Sequence, residues 1–409
     1  MKLKESGIAW MGRISEHWSV VRGAFLFFNK KTLNSELQCQ ERLALTMGGV
    51  IERDIEKNDG LNPADFRTYQ IFQQDDLVFK LIDLDNLKTS RVGYVHKMGI
   101  MSSAYIRLIP KQGVFSKYFY YQYFDLYLKH IFNFLGTGVR STLNSDELLN
   151  IELMLPPLEE QKKIADFLDT KTRQIEEFID KKQKLIALLE EKKQTLINQC
   201  VTKGLDPSTP LKDSGVEWLG QIPTHWEVRK LKYVASLRNQ KEGESDFKIG
   251  LENIESKTGE FIPTNESVFD NDGIGFFEGD VLFGKLRPYL AKVFLADKNG
   301  ICVSEFLVLK SEGILNRFLK FLMLSGVFIE IVNSSTYGTK MPRANWEFIG
   351  NLKIPLPPLE EQKAIAEYLD TQITKIDLAI SKIKSQINLI KEYKTTLISE
   401  AVCGRVEIS

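Results

Sequence analysis

One phrase that occurs twice limits what this chain can fold into. Leu155-Pro-Pro-Leu-Glu-Glu-Gln-Lys-Lys-Ile-Ala-Asp-Phe-Leu-Asp169 returns as Leu356-Pro-Pro-Leu-Glu-Glu-Gln-Lys-Ala-Ile-Ala-Glu-Tyr-Leu-Asp370. The proline pair ends any preceding strand and suits a first helical turn, where a missing N–H costs nothing. The two glutamates after it lie near the positive end of the helix dipole. From there to about Cys200 the chain has no glycine and no proline. Leu168, Ile175, Lys182, Leu189 and Leu196 recur every seven residues, and Thr172, Ile179, Ile186, Lys193 and Cys200 follow four residues behind. The second copy repeats this with Leu369, Ile376, Ile383, Ile390 and Leu397, followed by Ile373, Ile380, Ile387, Lys394 and Ala401. These are heptad seams, and they predict two helices of roughly 65 Å each. Each is too apolar on one face to stand alone in water, so the two are expected to pack on each other, antiparallel. Lys193 and Lys394 fall at matching seam positions, where a charged residue fixes register and partner at some cost in stability.

A second phrase also recurs. Glu5-Ser-Gly-Ile-Ala-Trp-Met-Gly-Arg-Ile-Ser-Glu-His-Trp18 is repeated as Asp213-Ser-Gly-Val-Glu-Trp-Leu-Gly-Gln-Ile-Pro-Thr-His-Trp226. A repeated histidine invites a metal or catalytic reading, but no Cys, Asp or second His stands at ligand spacing. The tryptophans around it favour a packed turn that leads into a domain.

Between these phrases lie two mixed blocks. In the first, residues 43–47, 76–80, 91–95 and 103–109 read as short strands, followed by one aromatic helix over 114–135. Stacked bases are conceivable on those aromatics, but a core-facing helix fits them better. In the second block, residues 231–237, 248–254, 280–285, 291–296 and 305–310 read as strands and 315–332 as one apolar helix. The order is the same and the letters differ, so the chain is a tandem duplication with a constant frame and divergent blocks. The segments are 1–22, 23–152, 153–203, 204–229, 230–353 and 354–409.

The 409 residues leave room for two or three domains, and the formal net charge is zero. No global basic field exists, so any nucleic-acid surface is a local patch. Cys39, Cys200, Cys302 and Cys403 form no CxxC pair and read as reduced thiols of a cytoplasmic protein. The most apolar run, 318–332, is too short for a bilayer and contains Lys320 and Glu330.

A pseudo-two-fold frame with two unlike blocks suits a partner with two unlike half-sites, and duplex DNA is such a partner. Candidate contacts are the basic and amide residues of the loops, since Arg grips guanine O6/N7 and Asn grips adenine in two bonds. In the second block these are Lys285, Arg287 and Tyr289 of Gly284-Lys-Leu-Arg-Pro-Tyr289, with Thr339, Lys340, Arg343 and Asn345 beyond the helix. In the first they are Lys80 and Arg91, with Arg140, Thr142 and Asn144. A salt bridge from Arg287 to a neighbouring acid such as Asp280 is the competing structural reading, because charged loops are more often solvated or paired.

The paired phrases, with Gly279-Asp-Val-Leu-Phe-Gly-Lys-Leu-Arg-Pro-Tyr-Leu290 in the second block, resemble the specificity subunits of Type I restriction–modification systems, over essentially the whole chain. The first block departs from that stretch, because Asp76-Leu-Val-Phe-Lys80 lacks the Arg-Pro-Tyr that follows in the second. The resemblance implies an α+β fold: a tandem pseudo-two-fold repeat of two mixed α/β target-recognition domains separated by two long antiparallel coiled-coil helices. It implies that each domain reads one half of a bipartite asymmetric DNA site. It also implies two partner methyltransferase subunits that use S-adenosylmethionine, and restriction subunits that use ATP and Mg. The chain itself shows no nucleotide-binding Gly-rich loop, methyltransferase motif or Walker motif, so no enzyme activity and no bound cofactor or metal are expected of it. The rival to this reading is a coiled-coil scaffold without sequence-specific DNA recognition.

Overall fold

The proline pairs sit just ahead of the helices they introduce. In the computed structural model, which describes residues 2–54, 65–84, 90–136, 142–243, 245–264, 273–336 and 340–408, the first long helix is Leu158–Lys203 and the second Leu359–Val402. The Pro157 carbonyl accepts from the N–H groups of Glu160 and Gln161 at 2.9 and 3.0 Å, and Pro358 does the same for Glu361 and Gln362. Pro157 and Pro358 therefore stand at the head of the ladder, accepting its first bonds, instead of occupying its first turn. With 46 and 44 residues the helices are about 69 and 66 Å long.

The chain divides into two units, residues 1–182 with 385–409, and residues 183–384. Each long helix is shared between them, so the boundaries do not follow the linear order of segments. Within the first unit, Glu176 pairs with Lys394 at 2.7 Å, and Gly404, just past the end of the second helix, packs under Trp18, which is bonded to Glu160 near the start of the first. The two helix segments of this unit therefore run antiparallel. Within the second unit, Lys193 pairs with Asp377 at 2.8 Å, and Gly204 lies against Glu361 and Trp226. Its helix segments are antiparallel by the same test.

Among the described residues each unit carries two four-stranded sheets. In the first unit one sheet runs Gly49–Arg53, Arg42–Thr46, Gly99–Met101, Gln70–Phe72, and the other Phe27–Asn29, Ile106–Pro110, Leu77–Phe79, Val92–Tyr94. In the second unit the counterparts are Lys241–Glu242, Gly273–Phe276, Gly300–Cys302, Lys248–Ile249, and Ala235–Arg238, Phe306–Ser311, Val281–Gly284, Val293–Leu295. Both first-named sheets contain one parallel pair, Ile100 with Arg42 and Ile301 with Lys248. The strands are short, and two runs expected as strands are partly turns: 231–237 begins as a 3-10 turn and 248–254 ends as one.

The helix expected over 114–135 is two helices, Ser116–Leu128 and Ile131–Leu135, because His130 takes a left-handed conformation at φ 55°. The apolar helix over 315–332 is likewise Asn316–Leu324 and Gly326–Ser334. Ser325 is extended there and its hydroxyl accepts from Phe328 N at 3.3 Å, while Gly326 N donates to Asn198 of the first long helix. A Ser-Gly pair that caps one helix and ends another is turn chemistry hidden inside an apolar run. The aromatics of 116–128 mostly face inward: Tyr118, Phe119 and Tyr123 are fully buried beside Phe27, Phe79 and Leu153.

No described helix is long and apolar enough to cross a membrane.

Candidate nucleic-acid interface

The repeated phrases build the frame that positions the loops. The two glycines of each Ser-Gly-x-x-Trp-x-Gly run, Gly7 with Gly12 and Gly215 with Gly220, all have φ between 61° and 76°, which only glycine adopts without strain. Ser6 and Ser214 cap the turn by accepting from Ile8 N and Val216 N at 3.0 and 3.1 Å. The His-Trp pair that closes each run then grips a long helix. His17 Nε2 lies 2.7 Å from Glu160, and Trp18 Nε1 donates to the same carboxylate at 2.8 Å. His225 and Trp226 treat Glu361 the same way, at 2.8 and 3.0 Å. The neighbouring glutamine finishes the joint. Gln161 accepts from Phe115 N and donates to the Pro156 carbonyl; Gln362 accepts from Leu315 N and donates to the Pro357 carbonyl. Each glutamine thus ties the start of a long helix to the start of a helix in its own block. Metal or acid–base chemistry at His17 and His225 has no support in this arrangement.

In the second unit the two basic segments meet. The strand Val281–Gly284 delivers Lys285, and Ala344 N donates to the Lys285 carbonyl at 2.9 Å. Leu286 bridges Arg343 backbone to backbone, and Arg287 N donates to the Pro342 carbonyl at 2.8 Å. Lys285, Arg287 and Arg343 are therefore fixed to one another at the backbone, and Lys340 and Tyr289, near them in the sequence, are exposed. Arg287 has φ 51°, a strained choice for a residue with a side chain. Its expected rival partner is taken: Asp280 pairs with Arg238 at 2.8 Å. Arg287 Nε is buried with no hydrogen-bond partner among the described residues. Arg343 is paired with Glu305 at 2.8 Å, and Glu305 Oε2 is buried and unpartnered there. A buried unmet polar atom costs about 1–3 kcal/mol, and two of them lie in this one loop cluster.

Two of the candidate amides are engaged as helix caps. Asn345 accepts from Phe348 N at 2.8 Å as the N-cap of Trp346–Asn351. Asn144 accepts from Asp146 N and Glu147 N at 2.9 Å as the N-cap of Ser145–Leu149, in a full capping box. An amide oxygen spent on a cap is not free to read adenine in two bonds. Thr339 and Arg140 lie outside the described residues.

The first unit repeats the scaffold with other side chains. Leu143 N donates to the Leu81 carbonyl at 3.0 Å, as Ala344 does to Lys285. Thr142, at the position of Arg343, is exposed, and Lys80 is half-buried. Arg91 is withdrawn: it is 2% exposed, and its guanidinium donates to the carbonyls of Ile82 and Asp83 at 3.3 and 2.6 Å. It staples the loop that the sequence assigned it to read from.

The helix seams are buried at Leu168, Ile175, Leu369, Ile376, Ile380, Ile383, Ile387 and Leu397, and half-buried at Ile179, Ile186, Leu189, Leu196, Ile373 and Ile390. Ile197 and Val201, outside the heptad columns, are more deeply buried than Leu196, because each packs into its unit's core and not only along a seam. All four cysteines are buried, and desolvation pushes the thiol of Cys302 up to about 12 and those of Cys200 and Cys403 up to about 11. Among the described residues no cluster of His, Cys, Asp and Glu is placed to hold a metal ion.

The sequence model of a family described as Type I restriction modification DNA specificity domain matches the chain twice, over residues 27–187 and 223–389. The specificity subunit of the Type I restriction enzyme MjaVIII from Methanocaldococcus jannaschii is 28% identical over 339 residues, 77% of this chain and 76% of that one. The specificity subunit of the Type I restriction enzyme EcoDI from Escherichia coli is 23% identical over 197 residues, 46% of this chain and 44% of its own. Among solved structures, a chain from work on complex assembly and conformational transition of the type I R-M system superposes with a TM-score of 0.72 at 14% identity, covering 96% of this chain and 99% of that one. The HsdS subunit from Thermoanaerobacter tengcongensis does so with a TM-score of 0.54 at 16% identity, over 96% and 98%. At these identities the structural likeness speaks for the fold.

Proposed function

This chain belongs to the Type I restriction–modification DNA specificity family, and from that premise we propose that each of its two domains reads one half of a bipartite, asymmetric duplex site. It is a specificity subunit, the non-catalytic member of such a system. The long helices set the distance between the half-sites and dock two modification subunits, through which restriction subunits join. S-adenosylmethionine is then used by the modification subunits, and ATP with Mg by the restriction subunits, in the cytoplasm.

The observation that carries this reading is the contrast between frame and loops. The clamp, the glutamine joint and the seam ion pair recur position by position, at His17 and His225, Gln161 and Gln362, Lys193 and Lys394. The loops held by that frame carry Lys285, Arg287 and Arg343 in one domain and Leu81, Asp83 and Thr142 in the other. A coiled-coil scaffold needs the frame and has no use for a strained arginine with an unpaired buried Nε.

Arg287→Ala in the assembled methyltransferase, titrated against specific and scrambled duplexes at several salt concentrations, tests the reading. A base contact costs about 1–3 kcal/mol on the specific duplex alone. A phosphate contact weakens binding to both and lowers the salt slope by about one unit. Unchanged affinity for both, in an intact complex, removes Arg287 from the DNA surface. Failure of the unaltered complex to prefer any duplex favours the scaffold.

A further inference from the structure

We propose that Glu305 and Arg343 act as one unit that reads a single G·C base pair in the major groove, Arg343 on guanine and Glu305 on the exocyclic amine of the paired cytosine. This rests on the second domain being a DNA reader, and it assigns a specificity-determining role to a residue that carries the wrong charge for a phosphate surface. A carboxylate amid Lys285, Arg287, Lys340 and Arg343 weakens any purely electrostatic hold on DNA. It does match what a base edge offers, because cytosine N4 is a donor and carboxylates are its usual acceptors, as guanine O6 and N7 are the usual targets of arginine.

The geometry fits one pair. Arg343 Nη2 donates to Glu305 Oε1 at 2.8 Å, and the side chains are 54% and 25% exposed. Donor and acceptor thus stand side by side at about the separation of guanine O6 and cytosine N4 in the base pair, an ordinary N–H···O distance of about 2.9 Å. Arg343 has donors to spare beyond the one given to Glu305. Glu305 Oε2 is buried with no partner among the described residues, so it is Oε1, which accepts from Arg343 and keeps a second lone pair, that takes the cytosine amine. Both residues are held at the backbone: Lys285 N donates to the Glu305 carbonyl at 2.9 Å, and Arg343 is bridged to Leu286. Strand register places Ala104 and Thr142 at the equivalent positions of the first domain, since Leu307 faces Phe283 as Ile106 faces Phe79, and Ala344 binds Lys285 as Leu143 binds Leu81. The same two positions therefore hold a charged pair in one reader and a small apolar residue with a hydroxyl in the other, as expected where two readers face different bases.

The test uses the assembled methyltransferase and its own methylated motif, mapped first for the unaltered complex. Each G·C pair of the half-site read by residues 230–353 is replaced in turn by guanine opposite 2-pyrimidinone, a cytosine analogue without the amine. One replacement is expected to weaken binding of the unaltered complex roughly 5- to 150-fold, while Glu305→Ala binds that duplex and the natural one equally. Glu305→Gln, which keeps an acceptor, is expected to retain the motif. If no replacement discriminates, or if the unaltered complex and Glu305→Ala lose affinity equally, Glu305 does not touch the base. Should Glu305→Ala fail to fold, the near-isosteric Glu305→Gln takes its place: an amide is a weaker acceptor than a carboxylate, so a smaller analogue penalty than in the unaltered complex supports the contact and an equal one overturns it. Exchange of residues 230–353 with a relative's block separates the two levels: a motif that changes in one half with a null result at Glu305 sinks only this assignment, and a motif that does not change at all sinks the domain reading with it.

Discussion

At the scale of single residues, the repeated letters answer to hydrogen bonds. Trp18 and Trp226 are 2% and 0% exposed, and each places its indole N–H on a helix glutamate. Glu160→Ala or Glu361→Ala leaves a buried donor unmet, and each is expected to cost about 1–3 kcal/mol in urea unfolding, whereas Glu159→Ala, at an exposed position, is expected to change little. A cost for Glu160→Ala no larger than for Glu159→Ala contradicts the clamp. The cysteines give a second check. A buried thiol raised to about 12, as at Cys302, has almost no thiolate near neutrality. The native chain is therefore expected to resist a thiol-specific dye at pH 8 until it is unfolded; rapid reaction of the folded protein contradicts this burial.

At the scale of elements, two ion pairs at matching positions set the seam. Lys193 is the more buried member of its pair, with a side chain 10% exposed against 32% for Asp377. In the matching pair Lys394 and Glu176 are 23% and 65% exposed. Removal of the charge is therefore expected to matter unequally: about 1–3 kcal/mol for Asp377→Asn, which strands a buried cation, and under about 1 kcal/mol for Glu176→Gln. Equal effects in thermal unfolding contradict the difference in burial. Ile383→Asp, which puts a charge at a buried seam position, is expected to cost several kcal/mol. Much of this level was legible in the sequence, because a seven-residue period sustained over so long a run has few structural solutions and two copies in one chain reveal which positions are constrained. The loops were not legible in the same way. Arg91 and Asn144 have the chemistry of DNA contacts, and only the backbone around them shows that their polar atoms are spent on carbonyls and a helix cap. Glu305 was missed because nothing local in the sequence places it beside Arg343, 38 residues away. The helix breaks at His130 and Ser325 were hidden by apolar neighbours that dominate periodicity.

At the scale of the molecule, frame and blocks are both duplicated, and the blocks are what has diverged. Each unit draws on both long helices, so neither block is tied to the chain only through its flanking linkers. Each block also closes on its own helix through a glutamine joint, Phe115 to Gln161 in one and Leu315 to Gln362 in the other. That construction lets a block be replaced while the clamp and seam stay intact and the joint re-forms on a main-chain N–H of the incoming block. The central claim is that the two blocks read DNA independently, and one exchange tests it. Residues 23–152 are replaced by the equivalent block of a relative, and the methylated motifs in the host genome are mapped with and without the exchanged gene. The account predicts a new sequence in one half of the motif, with the other half unchanged. Changes in both halves, or in neither while methylation persists, contradict it.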